Sequence, residues 1–287
     1  MTGVSSPLGQ ELVLQLKELE YYVIGIGRKK LVNGIIDEYL IHDLISPLNN
    51  FECKFPIEIV YHLASAPGSR SNIKSNPISI LSSSVIDFNI FDFIRKHRVQ
   101  NFVYASSATA SDYQFEAGGN SEPDTIFGWQ KRLSEKVLFE LYASLNINIS
   151  IGRLFTLYGS TYATNGLVGA WVEAAKNGKS IEVWDETMRR TLIHVKDAAT
   201  ALILLSQESS GFVLADICSD DIFELGEIVR VLEKFLCPSG TLDSSYCQRR
   251  SNVNVPDQIG DTSIIKSLGW KQSLTFIDYI TALGSSQ

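Results

Sequence analysis

Apolar positions recur along the first half of the chain with two alternating periods. Residues 8–19, LGQELVLQLKEL, place Leu8, Leu12, Leu16 and Leu19 on one helical face. The next run, YYVIGIG (21–27), is aromatic, β-branched and closed by glycine, which predicts a buried strand. Residues 57–61 (IEIVY) predict a short strand, and 84–97 a helix with Ile86, Ile90 and Ile94 aligned. NFVYAS (101–106) predicts a strand, 129–143 a helix with Leu133, Val137 and Leu141 on one face, and INISIG (147–152) a further strand. Helices alternating with continuously apolar strands imply parallel pairing through right-handed crossovers, hence an α/β fold built on a doubly wound parallel sheet.

After about residue 155 the alternation loosens. A helix near 166–177 precedes a strand-like IEVW (181–184), and IHVKDAATALILLS reads as a strand end running into a helix. Residues 222–236 predict another helix, 238–256 a Ser/Asp-rich loop, and 275–283 a last helix. The expected division is a nucleotide-binding lobe over 1–155 and a smaller C-terminal substrate-binding lobe over 156–287, with segments near 189–215 returning to the sheet.

With 287 residues, 45% of them hydrophobic and 20% charged, the chain has ample material for such a core. A net charge of -7 argues against nucleic acid or an anionic membrane as partner, since either needs a basic face. No apolar run approaches the roughly 18 residues of a membrane span, and the N-terminus lacks the pattern of a signal peptide. Cys53, Cys218, Cys237 and Cys247 are scattered, without metal-ligand spacing. Reduced thiols are the simpler reading, with a Cys237–Cys247 bridge as the oxidised alternative. These features predict a cytoplasmic protein and no metal site.

Thr2-Gly3-Val4-Ser5-Ser6-Pro7-Leu8-Gly9 leads directly into the first helix. Gly3 and Gly9 stand where a G-x-x-G-x-x-G dinucleotide turn needs a tight bend and a close helix approach, and Ser6 holds the middle position. An ordinary loop before a helix fits the same residues. The following βα pattern favours the phosphate turn, because it aims a helix N-terminus at the phosphates. The second strand ends at Gly27, followed by Arg28, Lys29 and Lys30. A carboxylate there would grip ribose hydroxyls, whereas glycine leaves room for a 2′-phosphate that a guanidinium can hold. This places NADP ahead of NAD as the expected cofactor; a solvated basic loop is the bland reading.

The sequence as a whole resembles the extended short-chain dehydrogenase/reductase family of NAD(P)-dependent nucleotide-sugar epimerases and dehydratases. TGVSSPLG resembles its TGATGFIG turn, His42-Asp43-Leu44 its adenine-side step, and Tyr61-His62-Leu63-Ala64-Ser65 its HLAA strand end. Residues 101–109, NFVYASSAT, are similar to its serine-bearing strand, and Phe127-Gly128-Trp129-Gln130-Lys131 sits at its Y-G-x-x-K site. RLFTLYG (153–159) resembles R-x-F-N-x-Y-G, RTLIHVKD (190–197) resembles R-D-F-I-H-V-x-D, and Asp261-Thr262-Ser263 with Leu268-Gly269-Trp270 matches its closing D-x-S…L-G-W. The resemblance implies a Rossmann-like fold and hydride exchange between a nicotinamide and a sugar carbon, paired with proton transfer by a tyrosine. It implies catalytic roles for Ser107 and Lys131, and cofactor contacts for Gly3, Ser6, Gly9, Arg28, Asp43, Leu44, Ala64 and Lys131. It also implies substrate contacts from Thr156 and Arg190, a nucleotide-sugar partner, and a homodimer through helices like 84–97 and 129–143.

The tyrosine position is Phe127. A phenyl ring cannot transfer a proton, and losing a positioned acid/base removes about 10²–10⁴ in rate. Three readings stand: a natural member with another acid/base or a substrate-assisted path, a cofactor or sugar-nucleotide binder that has lost turnover, or an introduced Tyr→Phe change that traps substrate. Tyr113 is the nearest alternative phenol, with a surface-loop tyrosine the commoner case. Ser83 and Thr156 stand where the family has asparagine, and Ser111-Asp112 where it has Tyr-Gly.

Other constellations carry less. Asn177-Gly178-Lys179-Ser180 ends like a P-loop but has Glu173 at the first glycine position, so a helix C-cap is expected. His194 reads as a core histidine, Asp185-Glu186 and Asp220-Asp221 as solvated turns, and the sequon Asn148-Ile149-Ser150 as part of a buried strand. Finally, the glycine turn stands at the very start of the chain, leaving no strand to carry it. The expectation is a sheet interrupted at its centre, with the true start upstream or the product truncated.

Overall fold

The computed structural model describes residues 1–29, 35–49, 51–65, 79–111, 123, 125–145, 147–159, 166–183, 185–208, 211–237, 244–246 and 257–285. The first lobe contains α1 (Pro7–Glu18), β1 (Ile24–Gly27), β2 (Glu38–Ile41), β3 (Ile59–His62), α2 (Ser79–Lys96), β4 (Asn101–Ser107), α3 (Ile126–Leu145) and β5 (Asn148–Leu154). There follow β6 (Thr156–Tyr158), α4 (Leu167–Lys176), β7 (Ile181–Val183), β8 (Arg189–His194), α5 (Val195–Gln207) and β9 (Phe212–Ile217). The chain closes with β10 (Ile222–Glu224), α6 (Leu225–Leu236), β11 (Ser244–Tyr246), α7 (Ser263–Ser267) and α8 (Phe276–Ser285).

The main sheet is parallel throughout, in the order β3-β4-β5-β9, with β1 and β2 forming a second parallel pair. Every residue of β4 from Phe102 to Ser106 is buried, as a strand covered on both faces requires. Helices α1 and α5 cover one face around Leu8, Leu12, Val103, Leu202 and Ile217. Helices α2 and α3 cover the other around Ile90, Ile94, Phe102, Leu138 and Ile149. A further core, centred on Trp171, Leu192, Ile228, Leu232 and Phe276, holds the C-terminal elements together. There β8 pairs with β6 in parallel and with β10 in antiparallel sense.

Among the described residues, β1 and β3 are not paired directly with each other. Thr2, next to Met1, stands between them and bridges Ile26 on one side and His62 on the other, while the Ile26 amide donates to the Met1 carbonyl at 2.9 Å. Below that bridge a cavity of about 410 Å³ opens, lined by Tyr21, Ile24, Phe51, Phe55, Ile59 and Phe93 among others.

Several local expectations change. Leu19 is the C-cap of α1 and is exposed, because the helix ends at Glu18 before its apolar face comes round again. The segment predicted as helix from residue 222 begins as strand β10. The helix starts at Leu225, where the Glu227 carboxylate accepts from the Glu224 amide at 2.8 Å and so caps the first turn. On α3 the stripe Leu133, Val137, Leu141 is not the fully buried one, although Val137 and Leu141 pack half-buried against the core. The helix instead buries Gly128, Gln130, Lys131, Ser134, Glu135 and Leu138, while Leu133 is 51% exposed. The strand read over 21–27 forms only from Ile24, and the segment read as a loop over 238–256 holds β11, its other residues lying outside the described ones, whereas Gly178 (φ 60) follows the Asn177 C-cap of α4 and Ile149 and Ser150 of the sequon are buried in β5.

Candidate active site

The glycine turn lies at the C-terminal ends of the parallel strands. Gly3 takes φ +70, and a Cβ there would press on the Leu63 carbonyl and the Ala64 amide, so only glycine fits. Ser6 donates to the Gly3 carbonyl at 2.8 Å and accepts from the Gly9 amide at 3.0 Å. It therefore closes the turn and caps α1 at once, with Pro7 at the first helical position. Gly9 lies against the Gly3 carbonyl, and the first turn of α1 carries no acidic residue to oppose an anion. Ala64 follows β3 directly and donates its amide to Thr2 Oγ1 at 3.2 Å.

At the end of β1, Arg28 and Lys29 are exposed, and Lys30 lies outside the described residues. The space beside Gly27 is taken by the Tyr39 phenol, which donates to the Lys29 carbonyl at 2.7 Å. Room for a 2′-phosphate at Gly27 is thus not what the glycine supplies. Asp43 is exposed and caps its own turn by accepting from the Ile45 amide, while Leu44 is buried.

The second half of the site stands on β4 and α3. Ser107, the last residue of β4, accepts from the Thr109 amide at 3.3 Å and from the Thr109 hydroxyl at 3.0 Å. Gly128 packs against the Thr109 carbonyl, which brings the start of α3 beside the serine strand. Phe127 is half-buried, and the Lys131 ammonium lies 5.9 Å from its ring centre. The structure thus brings Ser107, Phe127 and Lys131 to one strand end.

Lys131 is only 3% exposed. It donates to the Tyr104 hydroxyl and to the Ala105 carbonyl, both at 3.0 Å. The Tyr104 hydroxyl in turn donates to Asp87 Oδ2 at 2.5 Å, and Gln130 and Ser134 donate to the same oxygen at 2.7 Å each. His62 Nε2 lies 3.0 Å from Asp87 Oδ1, and its Nδ1 lies 2.6 Å from Thr2 Oγ1. Burial pushes His62 below its usual range despite the neighbouring carboxylate, so the ring is neutral. It then donates to Asp87 through Nε2 and accepts the Thr2 hydroxyl through Nδ1. Burial alone would raise Asp87, but the Lys131 charge and the donated hydrogen bonds outweigh it and hold the carboxylate well below its usual range. Lys131 itself is lowered by burial, against which Asp87 and Glu135 act. Burial and the Asp87 charge keep the Tyr104 phenol protonated, far above its usual range.

Thr2, His62, Tyr104, Lys131, Gln130 and Ser134 therefore converge on Asp87, which sequence reasoning missed. Its signal was present: Ser83, Asp87, Ile90 and Ile94 share one helical phase, and all four are buried. Ser83 Oγ lies 3.2 Å from Ser65 Oγ. Beyond the hub, Glu135 accepts Arg153 in a two-pronged pair at 3.0 and 2.7 Å and also takes the Ser106 hydroxyl. Arg153, first residue of the RLFTLYG motif, thus ties β5 to α3.

The substrate-side residues lie apart on the next sheet. Thr156 opens β6, half-buried. Arg190 in β8 is buried and donates to the Arg189 carbonyl and the Met188 sulfur. Asp197 of the same motif is a tie for the tail, accepting from the Ser273 amide and hydroxyl and from the Leu274 amide. His194 caps α5 and packs on Tyr158 and Tyr279. Tyr113, Asp112 and Cys247 lie outside the described residues. Among the described residues no group of His, Cys, Asp and Glu could hold a metal ion, and no helix is long and apolar enough to cross a membrane.

A parallel sheet with a glycine turn and helix N-terminus at its C-terminal edge defines a Rossmann-type α/β protein. The chain belongs to the NAD dependent epimerase/dehydratase family, whose profile matches residues 1–215. GDP-mannose 3,5-epimerase 1 of Oryza sativa subsp. indica is 22% identical over 255 residues, 82% of this chain and 68% of the relative. An uncharacterized protein of Methanocaldococcus jannaschii, MJ1055, is 24% identical over 68% of this chain, which spans 60% of that relative's length. MoeE5, solved in complex with UDP-glucuronic acid and NAD, superposes with a TM-score of 0.84 at 22% identity, covering 97% of this chain and 95% of that one. A tyrosine-to-phenylalanine mutant of UDP-glucuronic acid 4-epimerase from Bacillus cereus, in complex with a UDP-fluorosugar acid and NAD, superposes at 0.82 with 18% identity, covering 99% and 96%.

Proposed function

We propose that this chain binds NAD(P) and a nucleotide-activated sugar, and supports epimerase, dehydratase or reductase chemistry at a sugar carbon in polysaccharide or deoxysugar synthesis. The observation that carries the reading is that the Gly3 turn at the end of β3 and the Ser107–Lys131 pair at the end of β4 stand at the same edge of the parallel sheet. Gly3, Ser6 and Gly9 would seat the pyrophosphate at the α1 N-terminus, Ala64 and Leu44 would line the adenosine side, and Lys131 would hold the nicotinamide ribose. The cofactor, when bound, supplies hydride exchange. Ser107 would orient a sugar oxygen, while Thr156 and Arg190 would face the sugar nucleotide.

Phe127 supports a second reading, a cofactor or sugar-nucleotide binder with weak turnover, because no titratable group stands at the phenol position. Arg28 favours NADP over NAD. The division near residue 155, a cytoplasmic location and a homodimer complete the proposal. The dimer is supported by exposed Leu81, Val85 and Phe88 on α2 beside exposed Ile126, Trp129 and Leu133 on α3.

Titration of NADP+ and NAD+ against intrinsic fluorescence, followed by assay of UDP- and GDP-sugars with wild type and Phe127→Tyr, tests the whole. Expected are saturable binding, tighter for NADP+ and equalised by Arg28→Ala, and turnover about 10²–10⁴ higher in Phe127→Tyr. No binding of either nucleotide ends the reading. Turnover in the wild type that Phe127→Tyr leaves unchanged assigns proton transfer to another group.

A further inference from the structure

Lys131 has no phenol at position 127 to work on, yet the structure surrounds it with more polar groups than a ribose contact needs. Its ammonium is one hydroxyl away from the carboxylate of Asp87: Lys131 to Tyr104 at 3.0 Å, Tyr104 to Asp87 at 2.5 Å. Asp87 is fully buried in the middle of α2. Of its two oxygens, one takes His62 and the other takes Tyr104, Gln130 and Ser134, so four donors from β3, β4 and α3 fix its place. None of the motifs that place Ser107, Lys131 or the glycine turn includes it.

A buried ammonium without a nearby anion sheds its proton, since desolvation disfavours the charged form. The groups facing Lys131 are Asp87 from α2, His62 from β3, Tyr104 from β4 and Glu135 from its own helix. His62 and Tyr104 are neutral, and Glu135 is already taken by Arg153. Asp87 is the anion left to balance Lys131. We propose that Asp87 is a positioning residue of this site: through Tyr104 it keeps the Lys131 ammonium charged and folded against the end of β4, where a ribose hydroxyl can meet it. This rests on the cofactor reading above and adds to it the group that sets the charge of the lysine. Asp87 touches neither cofactor nor substrate and acts only through Lys131.

The pair has a signature that packing alone does not produce. In Asp87→Asn, Lys131 is buried without its anion and its pKa drops further, so the unfolded chain binds more protons than the folded one up to about pH 10.4. Stability of that variant therefore rises with pH between about 7 and 9. In Lys131→Met the carboxylate is left buried and unbalanced, its pKa rises above the unfolded value, and stability falls as pH rises from about 4.

The experiment measures urea midpoints of wild type, Asp87→Asn, Lys131→Met and the double variant between pH 5 and pH 9, with NAD+ titration alongside. Expected, as differences from the wild-type profile, are pH slopes of opposite sign in the two single variants, neither slope in the double variant, and a double-variant loss smaller than the sum of the singles. Asp87→Asn is expected to bind NAD+ about tenfold more weakly, by analogy with other groups that orient a ligand-holding residue, and increasingly so as pH rises. If Asp87→Asn does not fold, the Lys131→Met slope and its disappearance in the double variant decide the matter. Additive losses with parallel pH profiles would overturn the proposal and leave Asp87 a packing residue. Absence of NAD+ binding by the wild type overturns the cofactor reading instead, while the slopes still judge the pair.

Discussion

At the scale of single residues, the site is set by backbone demands as much as by side-chain chemistry. Gly3 is the clearest case, with φ +70 and no space for a Cβ between Leu63 and Ala64. Gly3→Ala forces a left-handed conformation that costs about 1–2 kcal/mol and displaces the end of β3. We expect a lower melting temperature together with loss of NAD(P) binding; unchanged binding in calorimetry would remove the turn from the cofactor site. The glycine was legible because the spacing of Gly3 and Gly9 before an amphipathic helix names a turn type. Ser6 was legible only as a departure from that pattern, and its double role as cap and turn-closer needed the structure. Asp87 was hidden for a related reason. A lone carboxylate in an apolar helix reads as its exposed face unless its phase is compared with Ile90 and Ile94. The alignment of Ile86 with those residues drew attention to the half-buried neighbour instead.

Among elements, α3 shows how periodicity can select a face offset from the buried one, with Val137 and Leu141 half-buried against the core and Leu133 exposed. Leu133, Val137 and Leu141 repeat every four residues, as a buried stripe would, yet the helix turns Lys131, Ser134, Glu135 and Leu138 inward. The polar groups can be buried because Asp87 and Arg153 meet them. Turned outward, the apolar residues of α3 join those of α2: Leu81, Val85 and Phe88 at i, i+4 and i+7, beside Ile126, Trp129 and Leu133. Two such faces from two copies would form a four-helix contact. Charged residues in the middle of that face, as in Val85→Glu/Leu133→Glu, are expected to shift the light-scattering mass from dimer to monomer while leaving the circular dichroism spectrum unchanged. A wild-type chain that already runs as a monomer at tens of micromolar (about 10⁻⁵ M; the affinity range of weak contacts) would sink the dimer.

For the molecule as a whole, the weak point is the junction at Thr2. β4 and β5 are buried and paired on both sides, whereas β1 and β2 join the main sheet through Met1, whose carbonyl accepts from the Ile26 amide at 2.9 Å, and Thr2 beside it. Thr2 holds the β3 side of this junction with its backbone, whose amide donates to the Tyr61 carbonyl at 3.0 Å, and with its hydroxyl. That hydroxyl donates to His62 Nδ1 while accepting from the Ala64 amide. Thr2→Val keeps the shape and deletes the hydroxyl, leaving the buried His62 Nδ1 and the half-buried Ala64 amide without that partner at about 1–3 kcal/mol. The loss should be local: hydrogen exchange is expected to accelerate in β1 and β2 while β4 and β5 keep their protection. Acid should act on the same point. A proton on His62 Nδ1 removes the acceptor for Thr2, and the folded protein binds that proton below the range of the unfolded histidine, near pH 6.5. Protons therefore favour the unfolded chain, and stability falls as pH drops from about 6.5. His194, held low by burial as well, adds in the same direction, so the Thr2-linked part is the difference between wild type and His62→Gln. A His62→Gln profile as steep as the wild type's between pH 7 and pH 5 would place the acid sensitivity elsewhere. Uniform acceleration of exchange across all strands in Thr2→Val would show that β1 and β2 open only with the whole sheet, and that the short bridge at Met1 and Thr2 is enough to make the two pieces a single cooperative unit.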